Sequence, residues 1–257
     1  INIEQDDKVM AFICTQDLKD EDYINSHYVI MATKNGQVKK TSLEQYSRPR
    51  TNGINAITIK EDDVLLEAKL TTGESQVMLA LKSGKAIRFE EAKTRPMGRG
   101  ASGVRGIRLQ HDQDEVIGMI AVDDMESNVL VVSENGYGKR SSLEDYRITN
   151  RGGKGVKTIS ITEKTGNLVS IKNVTDDDDL MIINKSGVAI RLAVADLRVM
   201  GRATQGVKLI NLKGKDSIAA VAKVMHEEDE VEDETLEGTE NTNGEDNGTT
   251  LDSNEEE

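Results

Sequence analysis

A glycine recurs through this chain at an almost constant interval. Gly53, Gly103, Gly155 and Gly206 are separated by 50, 52 and 51 residues. They close the stretches S-R-P-R-T-N-G-I, M-G-R-G-A-S-G-V, T-N-R-G-G-K-G-V and M-G-R-A-T-Q-G-V. A second marker keeps the same beat: Gly36, Gly84, Gly136 and Gly187 step by 48, 52 and 51. Two independent markers with one period describe a stack of similar supersecondary units rather than one irregular globule. Alternate copies match best. K-K-T-S-L-E-Q-Y (39–46) returns as K-R-S-S-L-E-D-Y (139–146), and K-S-G-K-A-I-R-F (82–89) as K-S-G-V-A-I-R-L (185–192).

Each unit reads as β structure. Tyr28 to Thr33 is an apolar strand, Lys34-Asn35-Gly36 a tight turn, and Gln37 to Thr41 the return strand. Asn-Gly between such runs is a strong hairpin signal, because both central residues tolerate φ > 0. The plan repeats at Val77 to Leu81 with Ala86 to Phe89, at Val129 to Val132 with Gly138 to Ser141, and at Leu180 to Ile183 with Ala189 to Leu192. A further strand is expected after each glycine-rich crossing, such as Ile54 to Ile59, Val156 to Ile161 or Val207 to Leu212. Four short strands in about fifty residues is the blade pattern of a propeller. Helical periodicity is poor, with single turns expected at Leu43 to Tyr46 and Val194 to Leu197. Ile1 to Ile3 and Val9 to Cys14 lean toward strand, and Asp17 to Asn25 reads as a polar connection. Gly214 to Met225 begins a fifth copy without a hairpin and is expected to close another blade as a strand.

The formal charge of −13 is unevenly placed. Residues 226–257 hold fifteen acidic side chains and no Lys or Arg; without them 31 acidic side chains face 33 basic ones. The organisation expected is a near-neutral body over 1–225 with a disordered acidic tail over 226–257. One cysteine, Cys14, excludes an internal disulfide and fits a reducing cytoplasm. No run approaches the roughly 18 apolar residues of a membrane span. The chain opens at Ile1 without methionine, as a fragment would.

Cations follow the period too. Four residues after the hairpin glycines stand Lys40, Arg88, Arg140 and Arg191, with Lys39 and Lys139 just before two of them. Four before the later box glycines stand Arg99, Arg151 and Arg202, and two after them Arg105, Lys157 and Lys208; the first copy has Arg48 and Arg50 around Pro49. Lys154 sits inside the third box. Cations at equivalent places on successive blades fall along one rim, the footprint of a phosphate backbone. Two Phe, five Tyr and no Trp disfavour stacking on single strands, so duplex DNA is the expected partner.

Other motifs carry less. Gly98-Arg99-Gly100-Ala101-Ser102-Gly103 fits G-x-G-x-x-G, yet neither a helix nor a βαβ unit follows it. Gly152 to Lys154 lacks the G-K-[ST] ending of a P-loop. Asp176 to Asp179 reads as a solvated turn, and His27, His111 and His226 have no ligands at metal spacing. Tyr46 and Tyr146 share one repeat position, which favours packing. No catalytic, cofactor or metal constellation emerges.

R-G-G-K-G-V, the K-N-G-x-V-K-K and E-N-G-Y-G-K-R hairpins, T-R-P-M-G-R-G-A-S-G-V-R-G-I and the acidic tail resemble the C-terminal domain of the DNA gyrase A subunit, from Ile1 to about Met225. The resemblance implies a β-pinwheel, a six-bladed propeller-like fold that wraps duplex DNA on its basic rim. It also implies a parent type IIA topoisomerase, a tetramer of two A and two B subunits in the bacterial cytoplasm. There ATP, Mg2+ and the catalytic tyrosine sit outside this chain, and wrapping supports negative supercoiling. The family's box reads Q-R-R-G-G-K-G; Thr149 to Gly155 keeps its last five residues but lies in the third repeat here. Four repeats then imply that the first two blades lie upstream. The sister domain of topoisomerase IV and a propeller scaffold for protein partners are the alternatives.

Overall fold

The structure, a computed structural model, describes residues 7–225. The expectations for Ile1 to Ile3 and for the tail at 226–257 lie outside the described residues. A short helix, α1 (Glu21–Ser26), comes first, where the sequence suggests only a polar connection. The Asp20 carboxylate caps it by accepting from the Asp22 and Tyr23 amides at 3.0 and 3.2 Å. Val9 to Cys14 forms no strand.

The first repeat supplies β1 (Tyr28–Thr33), β2 (Gln37–Ser42) and β3 (Leu65–Thr71). The second supplies β4 (Gln76–Leu81), β5 (Lys85–Glu90), β6 (Val104–Arg105) and β7 (Val116–Val122). The third supplies β8 (Asn128–Ser133), β9 (Tyr137–Ser142), β10 (Val156–Lys157) and β11 (Leu168–Val174). The fourth supplies β12 (Asp178–Asn184), β13 (Ala189–Ala193), β14 (Val207–Lys208) and β15 (Ile218–Met225). They form four antiparallel sheets in the orders β3-β1-β2-β6, β7-β4-β5-β10, β11-β8-β9-β14 and β15-β12-β13. The protein is therefore all-β, with one sheet per repeat.

The strand that follows each glycine box is only two residues long, and it does not join its own blade. β6, from the second repeat, pairs with β2 of the first, Gln37 opposite Arg105. β10 pairs with β5 and β14 with β9 in the same way. Each of the first three blades thus takes its outermost strand from the next repeat. Ile54 to Ile59, the corresponding run of the first repeat, forms no strand, and β13 receives no donated strand among the described residues. β15 belongs to the fourth blade itself, pairing with β12 from Asp178–Met225 to Asn184–Ile218, so Gly214 to Met225 completes its own repeat rather than another.

The hairpins also differ in detail from a two-residue turn with both centres at φ > 0. Gly36, Gly84, Gly136 and Gly187 have positive φ while Asn35, Ser83, Asn135 and Ser186 do not. Gly36 N–H donates to Thr33 O at 3.0 Å, and pairing resumes with Val38 opposite Ala32. This is a three-residue loop, a tight turn followed by a glycine in the left-handed region.

The core lies between blades. In β4, Val77, Leu79 and Leu81 face the first blade, while Met78 and Ala80 face the third. In β8, Val129 and Val131 face the second blade and Leu130 and Val132 the fourth. Both faces being covered, these strands read as continuous apolar runs rather than alternating ones. The outer face of the first blade, Val29, Met31 and Leu43, is covered by Ile24 of α1.

Candidate nucleic-acid interface

The fifteen cations singled out by periodicity separate into two groups. Lys39, Lys40, Arg88, Lys139 and Arg140 are buried. Lining an open rim was the expectation for them, and the structure corrects it: return strands β2, β5 and β9 turn them into the junction with the following blade. Arg88 Nη1 donates to Leu143 O at 2.6 Å and Tyr146 O at 3.0 Å, carbonyls of the next blade's single helical turn, and its Nε to Gln76 Oε1 at 2.5 Å. Arg140 donates to Leu197 O and pairs with Asp176. Lys40 meets a carboxylate instead, Glu91 Oε1 at 2.9 Å, and lies 4.1 Å from the centre of the Tyr28 ring. The substitution is chemically apt, since a guanidinium forks to two carbonyls whereas a compact ammonium suits one anionic oxygen.

Lys39 and Lys139 go further inward, to full burial. Lys39 Nζ donates to Ala56 O at 2.5 Å and to Arg99 O; Lys139 Nζ donates to Gly201 O at 2.6 Å. Each therefore holds the glycine box of the following repeat. Burial pulls both ammonium groups from 10.5 down to about 8; neighbouring Arg99 adds to this at Lys39. At Lys139 Asp145 partly opposes the shift and Arg202 adds to it. The equivalent position is Ile87 in the second repeat and Ile190 in the fourth, so alternate repeats agree at this position.

The box itself explains the period-setting glycine. Gly155 has φ +71°, and a Cβ there would sit 2.6 Å from Ala86 O of the neighbouring return strand. Gly103 and Gly206 have the same left-handed backbone and press equally closely on the carbonyls of Val38 and Gly138. Only glycine allows the donated strand to reach its acceptor.

The donated strands then carry one exposed cation each: Arg105, Lys157 and Lys208. Arg151 Nη1 donates to Arg105 O at 3.1 Å and its Nε to Lys93 O at 3.0 Å; Arg202 Nη1 donates to Lys157 O at 2.8 Å. These arginines tie one box to the preceding one and bring their charge beside the donated strands. Arg99 is half-buried, and Lys154, Arg48 and Arg50 are exposed. Arg191, unlike its equivalents, is exposed and paired with Asp179 Oδ2 at 2.6 Å. Periodicity also held a set that sequence reading passed over. Arg95, Arg147 and Arg198 stand eleven residues after successive hairpin glycines, and all are exposed.

The remaining motifs resolve in physical terms. Val104 and Arg105 form a strand after the G-x-G-x-x-G stretch, with no helix behind it. Of Asp176 to Asp179, the last two are buried rather than solvated. Asp178 accepts from Thr175 N at 2.7 Å and pairs with Lys223, and Asp179 pairs with Arg191. Tyr146 is buried with its hydroxyl 2.5 Å from Thr158 Oγ1, and Tyr46 donates to Ala56 O, so both pack. Among the described residues no cluster of three or more His, Cys, Asp or Glu could hold a metal. No described helix is long and apolar enough to cross a membrane.

Four blades linked by strand donation, each with a glycine box, match the family profile described as the DNA gyrase C-terminal domain, beta-propeller, over residues 27–72, 77–123, 127–175 and 178–225. The chain belongs to the DNA gyrase C-terminal β-propeller family. The DNA gyrase A subunit of Staphylococcus aureus (strain NCTC 8325 / PS 47) is 45% identical over 243 residues, 94% of this chain and 26% of that protein. Its counterpart from strain MRSA252 is 46% identical over 231 residues, 90% of this chain and again 26% of its own. This gyrase-type chain thus spans about a quarter of the length of these relatives. Among solved structures, a DNA gyrase A C-terminal domain shares its fold. The TM-score is 0.76 at 24% identity, with coverage of 88% of this chain and 73% of that one. The C-terminal domain of DNA topoisomerase IV has a TM-score of 0.73 at 23% identity, covering 78% and 62% respectively.

Proposed function

We propose that this gyrase-type domain grips duplex DNA by its phosphates along the exposed cations of its boxes and donated strands, and so wraps the duplex around its edge. The observation that carries the reading is the recurrence of an exposed cation on each donated strand, Arg105, Lys157 and Lys208, with Arg151 and Arg202 anchored beside them. Phosphate contacts position a duplex without reading its bases. Smoothly bending a site of 20–30 base pairs by 40–90° costs about 1–6 kcal/mol, which contacts on successive blades can offset.

In the longer protein the wrapped segment would be presented to a double-strand-cutting, ATP-hydrolysing type II topoisomerase. The catalytic tyrosine, ATP and Mg2+ would belong to other segments. A second A subunit with two gyrase B subunits would complete an A2B2 tetramer on the bacterial nucleoid. The domain's own part is positional: it sets the path of the duplex, and through that path the sign of supercoiling.

The test is the affinity of the full chain for two unrelated mixed-sequence duplexes across 50–200 mM salt. Each neutralised phosphate contributes about −0.9 to the slope of log affinity against log salt. We expect a steep slope, shared by both duplexes. A flat salt dependence would overturn the reading and favour a scaffold for protein partners.

A further inference from the structure

One repeat position combines an unpaired cation with an exposed apolar side chain, which a phosphate grip does not use. Arg48 precedes Pro49, Arg95 precedes Pro96, Arg147 precedes Ile148, and Arg198 precedes Val199, at steps of 47, 52 and 51 residues. All eight residues are exposed, Ile148 at 47% and Val199 at 51%. None of the four guanidiniums has a hydrogen bond or ion pair among the described residues. A single exposed apolar side chain needs no explanation. An apolar side chain of stiff type, Pro, Ile or Val, exposed at the same place in three successive repeats behind an arginine with no partner among the described residues, does.

The backbone there is firmly held. Pro96, Ile148 and Val199 form parallel bridges with Lys40, Arg88 and Arg140, the buried cations of the blade junctions. The next amides donate back to those residues: Met97 N to Lys40 O at 2.8 Å, Thr149 N to Arg88 O at 2.9 Å and Met200 N to Arg140 O at 2.9 Å. Three residues on come Arg99, Arg151 and Arg202, within about 10 Å along an extended chain. The dipeptide is thus a fixed projection at each blade junction, close in the chain to the cations assigned to phosphate.

We propose that the three held dipeptides, Arg95–Pro96, Arg147–Ile148 and Arg198–Val199, enter the minor groove of the wrapped duplex, one per blade junction, where that groove faces the protein. A narrow minor groove concentrates negative potential and draws arginine, which sheds its water more readily than lysine. The neighbouring apolar side chain packs on the deoxyribose edges that wall the groove. It does not wedge between bases, because minor-groove intercalation kinks a duplex toward its major groove, away from the protein, against the sense of the wrap. The chemistry recognised is therefore groove width, set by A·T-rich tracts recurring at about the helical repeat of 10 base pairs.

This rests on the duplex-wrapping reading, and the experiment separates the two. The full chain is titrated with two duplexes of equal length and composition. In one, A·T tracts are phased at the helical repeat; in the other, alternate tracts are shifted by half a turn. The wild type should favour the phased duplex about fivefold. The triple variant R95K/R147K/R198K keeps every charge, so it should keep the salt slope and lose that preference. I148S/V199S should reduce the preference in the same direction. Equal affinity of the wild type for both duplexes, with a steep salt slope, would overturn the minor-groove assignment and leave wrapping intact. Retention of the preference by the lysine variant would also overturn it. A wild type with no steep salt slope on either duplex would instead overturn the wrapping reading itself, and this assignment with it.

Discussion

Replacing Arg88 by methionine separates the two kinds of cation in this fold. The side chain is buried at the junction of the second and third blades, where it donates to Leu143 O, Tyr146 O and Gln76 Oε1. Methionine fills much the same space and removes every donor. A hydrogen bond to a charged group contributes about 1.5–3 kcal/mol net, and a buried carbonyl left without a donor costs about 1–3 kcal/mol. Tyr146 O loses its donor, Leu143 O keeps the Tyr146 N–H at 3.1 Å, and the desolvation cost of the guanidinium disappears. The net loss should be about 3 kcal/mol. For a protein of this size each kcal/mol moves Tm by roughly 2–4 °C, so the drop should be roughly 6–12 °C by calorimetry. At a temperature well below the melt, DNA affinity should stay within about twofold and its salt slope should not change, because no phosphate contact is lost. An unchanged Tm accompanied by a salt slope about one unit shallower would refute the argument, since Arg88 would then be acting on DNA. Lys40→Met offers a check by chemistry. It strands the buried Glu91 carboxylate, a loss of about 3–5 kcal/mol, and adding Glu91→Leu should return most of it.

Charge reversal at Arg105, Lys157 and Lys208 should do the opposite, leaving Tm nearly unchanged and flattening the salt slope by about one unit per site. Gly155→Ala should destabilise by about 1–3 kcal/mol in denaturant melts, because the residue sits at φ +71° against Ala86 O; a neutral result would mean that the donated strand is dispensable. Lys139 loses its proton at about pH 8 when folded and near 10.5 when unfolded. Its burial penalty is thus complete below pH 8 and relieved as pH rises from 8 to 10.5. Stability of the wild type relative to Lys139→Met should climb through that window, and a pH-independent difference would rule the assignment out. Residues 226–257 add fifteen acidic side chains and no Lys or Arg, so their charge should repel a DNA polyanion, less so as salt screens it. Truncation after Met225 should therefore tighten binding most at low salt, and equal affinity at every salt would make the tail a bystander.

The repeat, the hairpins and the sheet strands were legible because they are local. Tyr28 to Thr33 and Gln37 to Thr41 could be bounded to within a residue from an apolar run and a glycine turn. The strand exchange was not legible. Val156 and Val207 follow their glycines in sequence just as a blade's own last strand would, yet each pairs with a return strand of the preceding repeat. Nothing within one repeat names the partner, because the acceptors lie in the repeat before: Val156 stands opposite Ala86 and Val207 opposite Gly138. Likewise α1 was missed because a six-residue helix has too few turns to show periodicity, leaving the Asp20 cap as its one local mark.

The cations show the same limit from the side of function. Arg88, Arg140 and Arg191 occupy one repeat position and carry one side chain, and sequence alone assigns them one role. Where a following blade presents its turn, at Arg88 and Arg140, the guanidinium is buried against that turn. At Arg191 no following blade lies among the described residues, and the same side chain is exposed and turned to Asp179. The role therefore belongs to the junction rather than to the residue. A count of periodic cations will overstate the charge offered to DNA by at least one residue per junction, and by two where a lysine such as Lys39 or Lys139 holds the next glycine box from within. Of the cations left over, Arg105, Lys157 and Lys208 lie on the donated strands and Arg151 and Arg202 beside them, whereas Arg48, Arg50 and Arg191 lie elsewhere. The two sets thus differ in place: one is buried between blades, and the donated strands carry Arg105, Lys157 and Lys208 to the exposed edge that the proposal assigns to a duplex.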